Sequence, residues 1–318
     1  MTVQTTDTTF AREVLNGLTT SPKRLPTRFI YDDNGTKLFE EIMQQEEYYL
    51  TNCEKEIIEN NLDVFRKIVD SDPFNIVELG AGNGAKTKIM LSHMIDSGAD
   101  IEYYPIDISE KALDILYGSL KSEIEGLRIT PLQKDYFDGL SWLHEKDSKR
   151  NFVLFMGANI GNLGGEFLKD FLSKLRRNLN SNDLVMIGFD LVKDYRVIEK
   201  AYNDSKKITQ AFTLNILKRA NRELGATFNL ENFVHYNYYD PIIQANKAYI
   251  VSKEKQSVYI DALNLTFEFE EWEPISIEHS YKFNVYQIEK IAGKYGFKLK
   301  KNLFDKRSYF CDSIWEVS

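Results

Sequence analysis

The stretch from Phe74 to Lys88, FNIVELGAGNGAKTK, restricts this chain more than any other. A short apolar run, Ile76 to Leu79, ends at Gly80-Ala81-Gly82-Asn83-Gly84, and a helical pattern of Ala85, Ile89, Met90, Met94 and Ile95 follows at once. That is the spacing of strand, glycine turn and helix. Glycine at such a turn lets the backbone take φ > 0 and lets a ligand approach main-chain N–H groups with no Cβ in the way. The glycines alone decide little. Standing two apart, they miss the dinucleotide spacing G-x-G-x-x-G, and Ala85 satisfies only the looser form that ends in alanine. The next segment decides more. Ile101 to Ile106 predicts a second strand that ends at Asp107, followed by Ser109 as N-cap, Glu110 in the first turn, and Ala112, Leu113, Leu116 and Leu120 at helical spacing. An acid at the tip of the second strand of a doubly wound sheet can hold a ribose by its hydroxyls, so a nucleoside-containing cofactor is expected.

Strand and helix patterns go on alternating to about Asp190. Leu127 to Gln133 reads as a third strand that leads into Asp135-Tyr136-Phe137. Asn151 to Gly157 reads as a fourth, apolar enough to be buried on both faces, and it opens into the glycine- and amide-rich Ala158 to Gly164. A helix over Phe167 to Leu179 and a fifth strand over Asp183 to Asp190 follow. Ligands in such sheets sit beyond the carboxyl ends of the strands, where Gly80 to Gly84, Asp107, Asp135, Asn162 and Asp190 would gather. Ahead of this core the pattern predicts a polar start (Met1 to Thr9), a helix over Phe10 to Leu18, a turn near Asp32 to Gly35, a helix over Thr36 to Gln45 and one long helix over Thr51 to Val69. Beyond Leu191 come helices over Tyr195 to Leu224, short strands between 229 and 273, a connection from Pro274 to Phe283, a helix over Val285 to Tyr295 and two closing strands. The expected division is a core of 71–194 with 284–318, and a second, substrate-covering domain made of 1–70 and an insertion at 195–283.

With 318 residues, 43% of them hydrophobic, the chain can bury a full core. A net charge of -8 with scattered Lys and Arg argues against nucleic acid as the partner. Cys53 and Cys311 are too few for a disulfide or metal framework and read as reduced, buried thiols. His93, His144, His235 and His279 show no metal-ligand spacing, so no metal is expected. No Ser-His-Asp or paired-carboxylate arrangement is legible, which suits chemistry without a covalent enzyme intermediate. No leader pattern and no run of ~18 apolar residues is present, so a cytoplasmic protein with no membrane partner is expected; a small-molecule substrate and a monomer are expected as well.

The motifs VELGAGNGAKTK, PIDIS, Asp135-Tyr136-Phe137, MGANIGNL, DLVKD and AYND resemble those of the histidine-specific S-adenosylmethionine (SAM)-dependent methyltransferases, which form hercynine in ergothioneine biosynthesis. The resemblance extends to YDDNGTKLFEEI and EEYYLT near the N-terminus, to FTLNILKRANRELGATFNLENFVHYNYYDP and to the late IEHSYKF. It implies a Rossmann-like class I methyltransferase core, an α/β fold with a seven-stranded, mostly parallel sheet, and a second substrate-covering domain. It puts the SAM cofactor on Gly80, Gly82, Lys86, Asp107, Asp135 and Tyr136. The residues themselves had already pointed to Gly80, Gly82, Asp107 and Asp135, whereas Lys86 reads on its own as a solvated helix residue. For the substrate the resemblance implies Tyr31, Phe39 and Tyr48, which would orient the amine, then Asn162 and Tyr202 for the α-carboxylate, and Glu278 with Ser280 for the imidazole.

Each has a plainer alternative. In a chain of 18 tyrosines, Tyr31, Tyr48 and Tyr202 could be amphipathic boundary residues. Asn162 could cap the next helix, and Glu278 could be a surface carboxylate on a strand, from which His279 would point the other way. One position departs from the pattern: Ala248 stands where the histidine enzymes carry methionine. The smaller side chain leaves room for an amino acid such as tryptophan, a tryptophan derivative or tyrosine, the alternative substrates. A nicotinamide-dependent oxidoreductase using the same glycine turn is the rival from another class, and a SAM-holding protein without turnover is a third reading.

Overall fold

The computed structural model describes residues 8–69, 73–146 and 149–318; most of the predicted polar start lies outside them. In chain order the elements are α1 (Thr9–Leu18), β1 (Lys23–Arg24), α2 (Asp33–Met43), α3 (Tyr49–Asn60), α4 (Leu62–Val69), β2 (Phe74–Leu79), α5 (Ala85–Asp96), β3 (Ile101–Asp107), α6 (Glu110–Glu123), β4 (Arg128–Ile129), β5 (Leu132–Gln133), α7 (Tyr136–Lys146), β6 (Arg150–Phe155), α8 (Glu166–Arg177) and β7 (Leu184–Asp190). Then follow α9 (Tyr195–Ala201), α10 (Ile208–Leu224), β8 (Phe233–Asp240), β9 (Ala245–Ser252), β10 (Gln256–Ile260), β11 (Leu265–Phe269), β12 (Pro274–Tyr281), α11 (Val285–Lys294), β13 (Phe297–Phe304) and β14 (Phe310–Val317). Helix starts follow local chemistry. The side chains of Thr8, Asp32 and Ser109 accept the N–H of Ala11, Gly35 and Ala112, and Asn284 with Gln287 forms a full capping box on α11.

By backbone contacts the chain forms two compact units. One holds the chain up to Tyr49 together with Lys193–Tyr281; the other holds Leu50–Val192 and Lys282–Ser318. The first boundary therefore lies at residue 49 rather than 70, because α3 and α4 go with the second unit. Those helices were expected as one. They break at Asn61, whose amide donates to the Ile57 carbonyl at 2.8 Å and whose N–H turns back to Ile58 at 3.1 Å.

In the second unit the sheet runs β13-β14-β7-β6-β2-β3-β4, with β5 also against β3. Strands β2 to β7 pair in parallel, and β14 lies antiparallel to both β7 and β13. The expected third strand is split into β4 and β5 around Thr130-Pro131, since proline has no N–H to give the ladder. The sheet thus counts eight strands where seven were expected. All residues of β2 and β7 are buried, as strands covered on both faces should be.

In the first unit β12, β9 and β8 form an antiparallel sheet, with β1 added in parallel at the β12 edge and β10-β11 as a separate hairpin. The predicted connection from Pro274 to Phe283 is largely strand β12. A bulge between Ser276 and Glu278 shifts its phase by one residue, which breaks the period-two alternation that would have revealed it. Among the described residues no helix is long and apolar enough to cross a membrane.

Candidate active site

The glycine turn of the second unit follows β2 directly. Gly80, Gly82 and Gly84 all have positive φ, at 76°, 53° and 65°. A Cβ on Gly80 would stand 2.8 Å from the Tyr136 hydroxyl, and one on Gly84 would run into Leu116 of α6. Gly82 is different: nothing lies within 4 Å of where its Cβ would be, and the residue is exposed. The turn is tied underneath by Glu78, which is fully buried and accepts the hydroxyls of Thr87, at 2.7 Å, and Tyr103. Burial pushes its carboxyl up to about 7, against the pull of those two hydroxyls and of Lys86.

The neighbouring strand ends bring further groups to the same edge. Asp107 at the end of β3 accepts the Ser109 N–H at 2.9 Å, and Gly80 N–H reaches the Ile106 carbonyl at 2.9 Å. Asp135 accepts the N–H groups of Phe137 and Asp138, at 2.8 and 3.0 Å, and so starts α7. Tyr136 follows with its ring against Phe155; burial, then the nearby Asp107 charge, pushes its phenol up to about 12. Asn162 is exposed on the short turn Asn159–Asn162 after β6, and it does not cap α8, whose N-cap is Gly165. Asp190 is not presented there: its carboxylate is fully buried in an ion pair with Lys282 at 2.8 Å.

Lys86 is not the solvated residue its helix position suggests. Its ammonium pairs with Glu54 of α3, whose oxygens also accept the Gly157 N–H at 2.8 and 3.1 Å. Burial alone would lower the Lys86 pKa, but the Glu54 charge carries it above the ordinary lysine value. Sequence reading missed Glu54, although a signal existed. It lies on the stripe Leu50, Cys53, Ile57 and Ile58, the buried face of α3, where an acid is out of place. A separate cavity, lined by His144, Lys149, Arg150 and Asp183 among others, opens at the amino ends of β6 and β7, where doubly wound sheets do not put ligands.

In the first unit four rings meet. Tyr31 packs edge-on against Phe39 and Phe212, with centroids 5.5 and 5.2 Å away, and Phe39 packs against Tyr48 at 6.1 Å and Phe212 at 5.7 Å. Phe212, on α10, was not singled out from the sequence because nothing separates it from the other apolar residues of that helix. Tyr31 remains 42% exposed while Tyr48 is buried. The turn carrying Tyr31 is held by Asn215, also of α10, which donates to the Ile30 carbonyl at 3.0 Å and to Asp32 at 2.7 Å.

On the sheet of this unit, Glu278 stands opposite Ala248, which stands opposite Asn237; two residues along, Ser280 faces Asn246. Ala248 is 5% exposed. The Tyr202 hydroxyl bonds the Ser280 hydroxyl at 2.9 Å, and the Tyr202 carbonyl lies 3.3 Å from Nε2 of His235. Burial holds the His235 imidazole below its ordinary value, so it is neutral at pH 7. His279 pairs in register with Lys247 and sits near the Tyr281 ring, and strand alternation turns it away from Glu278 and Ser280. Among the described residues no group of His, Cys, Asp and Glu could hold a metal ion, and Cys53 and Cys311 are buried, unlinked thiols.

Numbered along the chain, the strands of the large sheet run 3-2-1-4-5-7-6 with the last-made strand reversed, and a glycine turn follows strand 1. This defines the class I SAM-dependent methyltransferases. The family profile described as "Histidine-specific methyltransferase, SAM-dependent" matches residues 10–317, so the chain belongs to that family. It is 32% identical over 272 residues to histidine N-alpha-methyltransferase of Mycolicibacterium smegmatis, covering 86% of this chain and 84% of that protein. It is 29% identical to ergothioneine biosynthesis protein 1 of Schizosaccharomyces pombe over 87% of this chain but only 36% of that longer protein. With the N-methyltransferase imqF of Aspergillus flavus it shares 28% identity over 96% of this chain and 84% of that one. The nicotinamide reading is set aside by this membership, and SAM is the cofactor. The open space over Gly82, at an edge that also carries Asp107 and Lys86, fits a nucleoside cofactor with an amino-acid tail.

Proposed function

We propose that this protein transfers methyl groups from SAM to the α-amino nitrogen of L-histidine, up to the trimethyl betaine hercynine, as a cytoplasmic monomer. The observation that carries the reading is the Tyr202–Ser280 hydrogen bond beside Glu278: hydroxyls and a carboxylate on one face of one sheet, suited to an amino acid with an N–H-bearing ring. The similarity to histidine N-alpha-methyltransferase over most of both chains supports it.

Asp107 would hold the cofactor's ribose, Asp135 and Tyr136 its adenine side, and Lys86 its carboxylate end. Once bound, the cofactor supplies an electrophilic methyl group, so the protein's task is orientation. The incoming α-amine is largely protonated in neutral water. Tyr31 and Tyr48 orient the amine lone pair through their hydroxyls and relay the amine's proton to water, a hydroxyl giving up its own proton as it takes one, and the Phe39 ring disfavours the charged form by excluding solvent. After methylation the ring faces of Tyr31, Phe39, Tyr48 and Phe212 favour a quaternary ammonium. Asn162 and Tyr202 hold the α-carboxylate, and Glu278 accepts an imidazole N–H while Ser280 bonds the same ring. The first unit, in this reading, is the substrate-covering part.

Ala248 favours a second reading within the same chemistry, a bulkier amino acid at the same α-amine. Mass spectrometry of the protein with SAM and an equimolar mixture of the twenty amino acids decides between them. Trimethylated histidine as sole product is the expected result. Methylation of tryptophan or tyrosine instead would move the substrate to the second reading, and no methylated amino acid at all would favour the SAM-holding protein without turnover.

A further inference from the structure

Beneath the cofactor edge of the large sheet lies a charge balance that the reaction does not explain. Glu54 is wholly buried, and its carboxylate is engaged by the Lys86 ammonium and by the Gly157 N–H. It lies over Gly188 of β7, where a Cβ would collide with Oε1. Gly188 pairs in register with Asp312 of β14. Asp312 is also wholly buried, and neither of its oxygens meets a donor among the described residues. Two carboxyls therefore share a dry site with the single ammonium of Lys86, and two adjacent buried carboxylates cannot both ionise at ordinary cost.

We propose that Asp312 keeps its proton and donates it to Glu54, and that this carboxyl pair is the positioning device that fixes Lys86 and the Gly157 turn for the cofactor. The proton removes the anomaly, because an O–H of Asp312 is the donor that its neighbour can accept. It also leaves one full negative charge, on Glu54, held from three sides. Burial, and then the Glu54 charge, raise the Asp312 pKa well above the carboxylate range, with Lys86 opposing. Besides these, Glu78 faces Lys86 from β2, and the Cys311 thiol, itself raised by burial, adjoins Asp312 in sequence. Glu54 touches neither cofactor nor substrate in this scheme; it acts through Lys86 and the backbone at Gly157. The proposal rests on Lys86 as a cofactor residue.

The test is calorimetric binding of S-adenosylhomocysteine, from neutral to alkaline pH, to the wild type and to Glu54→Gln, Asp312→Asn, Lys86→Met and the Glu54→Gln/Lys86→Met double variant, with circular dichroism to confirm folding. Losing the charged partner in Glu54→Gln should weaken binding by roughly ten- to a hundredfold. Asp312→Asn, whose amide N–H takes the place of the carboxyl proton, should weaken it far less; wild-type binding should decline on the alkaline side as Asp312 loses its proton, and Asp312→Asn should lack that decline. In the Lys86→Met background the Glu54 change should cost much less than alone. Equal losses in Glu54→Gln and Asp312→Asn, or additive losses in the double variant, would overturn the pair. Undiminished binding by Lys86→Met would overturn the cofactor role of Lys86, and the pair's purpose with it; a weakened Lys86→Met beside an unaffected Glu54→Gln would overturn the pair alone. If Glu54→Gln fails to fold, the pH profiles of wild type and Asp312→Asn decide: matching alkaline limbs would refute the shared proton.

Discussion

Tyr31 is the most exposed of the four clustered rings, and the proposed mechanism puts its hydroxyl, with that of Tyr48, on the amine. Tyr31→Phe should lower kcat while SAH affinity, measured by calorimetry, stays within a factor of about two, since single hydroxyl hydrogen bonds contribute ~1 kcal/mol where they act. Loss of SAH binding in that variant would contradict the role. Removing the half-buried carboxylate in Glu278→Ala should raise the KM for histidine roughly ten- to a hundredfold, and should affect an aromatic amino acid far less; equal losses for both would refute the imidazole assignment. His235 makes a pH prediction. Its folded pKa lies below the ordinary 6.5, because burial disfavours the cation more than the Tyr202 carbonyl favours it. Its contribution to stability is therefore complete above about 6.5 and lost as pH falls through the folded value. Thermal melts of His235→Gln should accordingly lose less stability than wild type on acidification. Residues such as Gly82 and Asp107 were legible because turn chemistry and position on a strand end are local properties. Glu54, Phe212 and His235 owe their importance to partners more than twenty positions away, which a one-dimensional pattern does not encode.

At the scale of elements, β2 and α5 are joined less by their turn than by Glu78, which also reaches Tyr103 on β3. Its folded pKa of about 7 lies above the unfolded 4.5. The sign is opposite to that of His235: the stabilisation is full below about 4.5 and fades as pH rises through 7, by on the order of 3 kcal/mol across the window. Urea unfolding of Glu78→Gln between those limits should show a flatter pH dependence than wild type; parallel curves would mean the carboxyl is ionised in the fold. Helix α10 plays the corresponding part in the other unit, since Asn215 holds the turn before Tyr31 while Phe212, about one turn earlier, packs on the ring itself. Asn215→Ala should cost ~1–3 kcal/mol of stability and lower kcat together with it, whereas Tyr31→Phe lowers kcat at nearly constant stability. The alternating core was readable because apolar strands and capped helices repeat. The elements that were misjudged share a cause: a side chain, a proline or a bulge interrupts the period at Asn61, Pro131 and Ile277.

At the scale of the molecule, the residues assigned to the cofactor belong to one unit, and most of those assigned to the substrate, Asn162 excepted, to the other. SAH at a hundred times its Kd should add ~2.7 kcal/mol to unfolding free energy. If denaturation shows two steps, SAH should move the one belonging to the unit with the large sheet, and light scattering should return 37.0 kDa for the monomer. The topology also sets a schedule for synthesis. Lys23 and Arg24 of β1 pair with Ile275 and Ser276, so this early strand waits for one made some 250 positions later. Strand β14, the last of this sheet in chain order, is not an edge: it is inserted between β13 and β7. Until it emerges, β7 has nothing on that side, and the nascent chain carries an open, apolar strand edge that invites other chains. Truncation before Phe310 would consequently remove an interior strand rather than trim a border, and its product should be degraded or aggregate instead of folding with reduced activity.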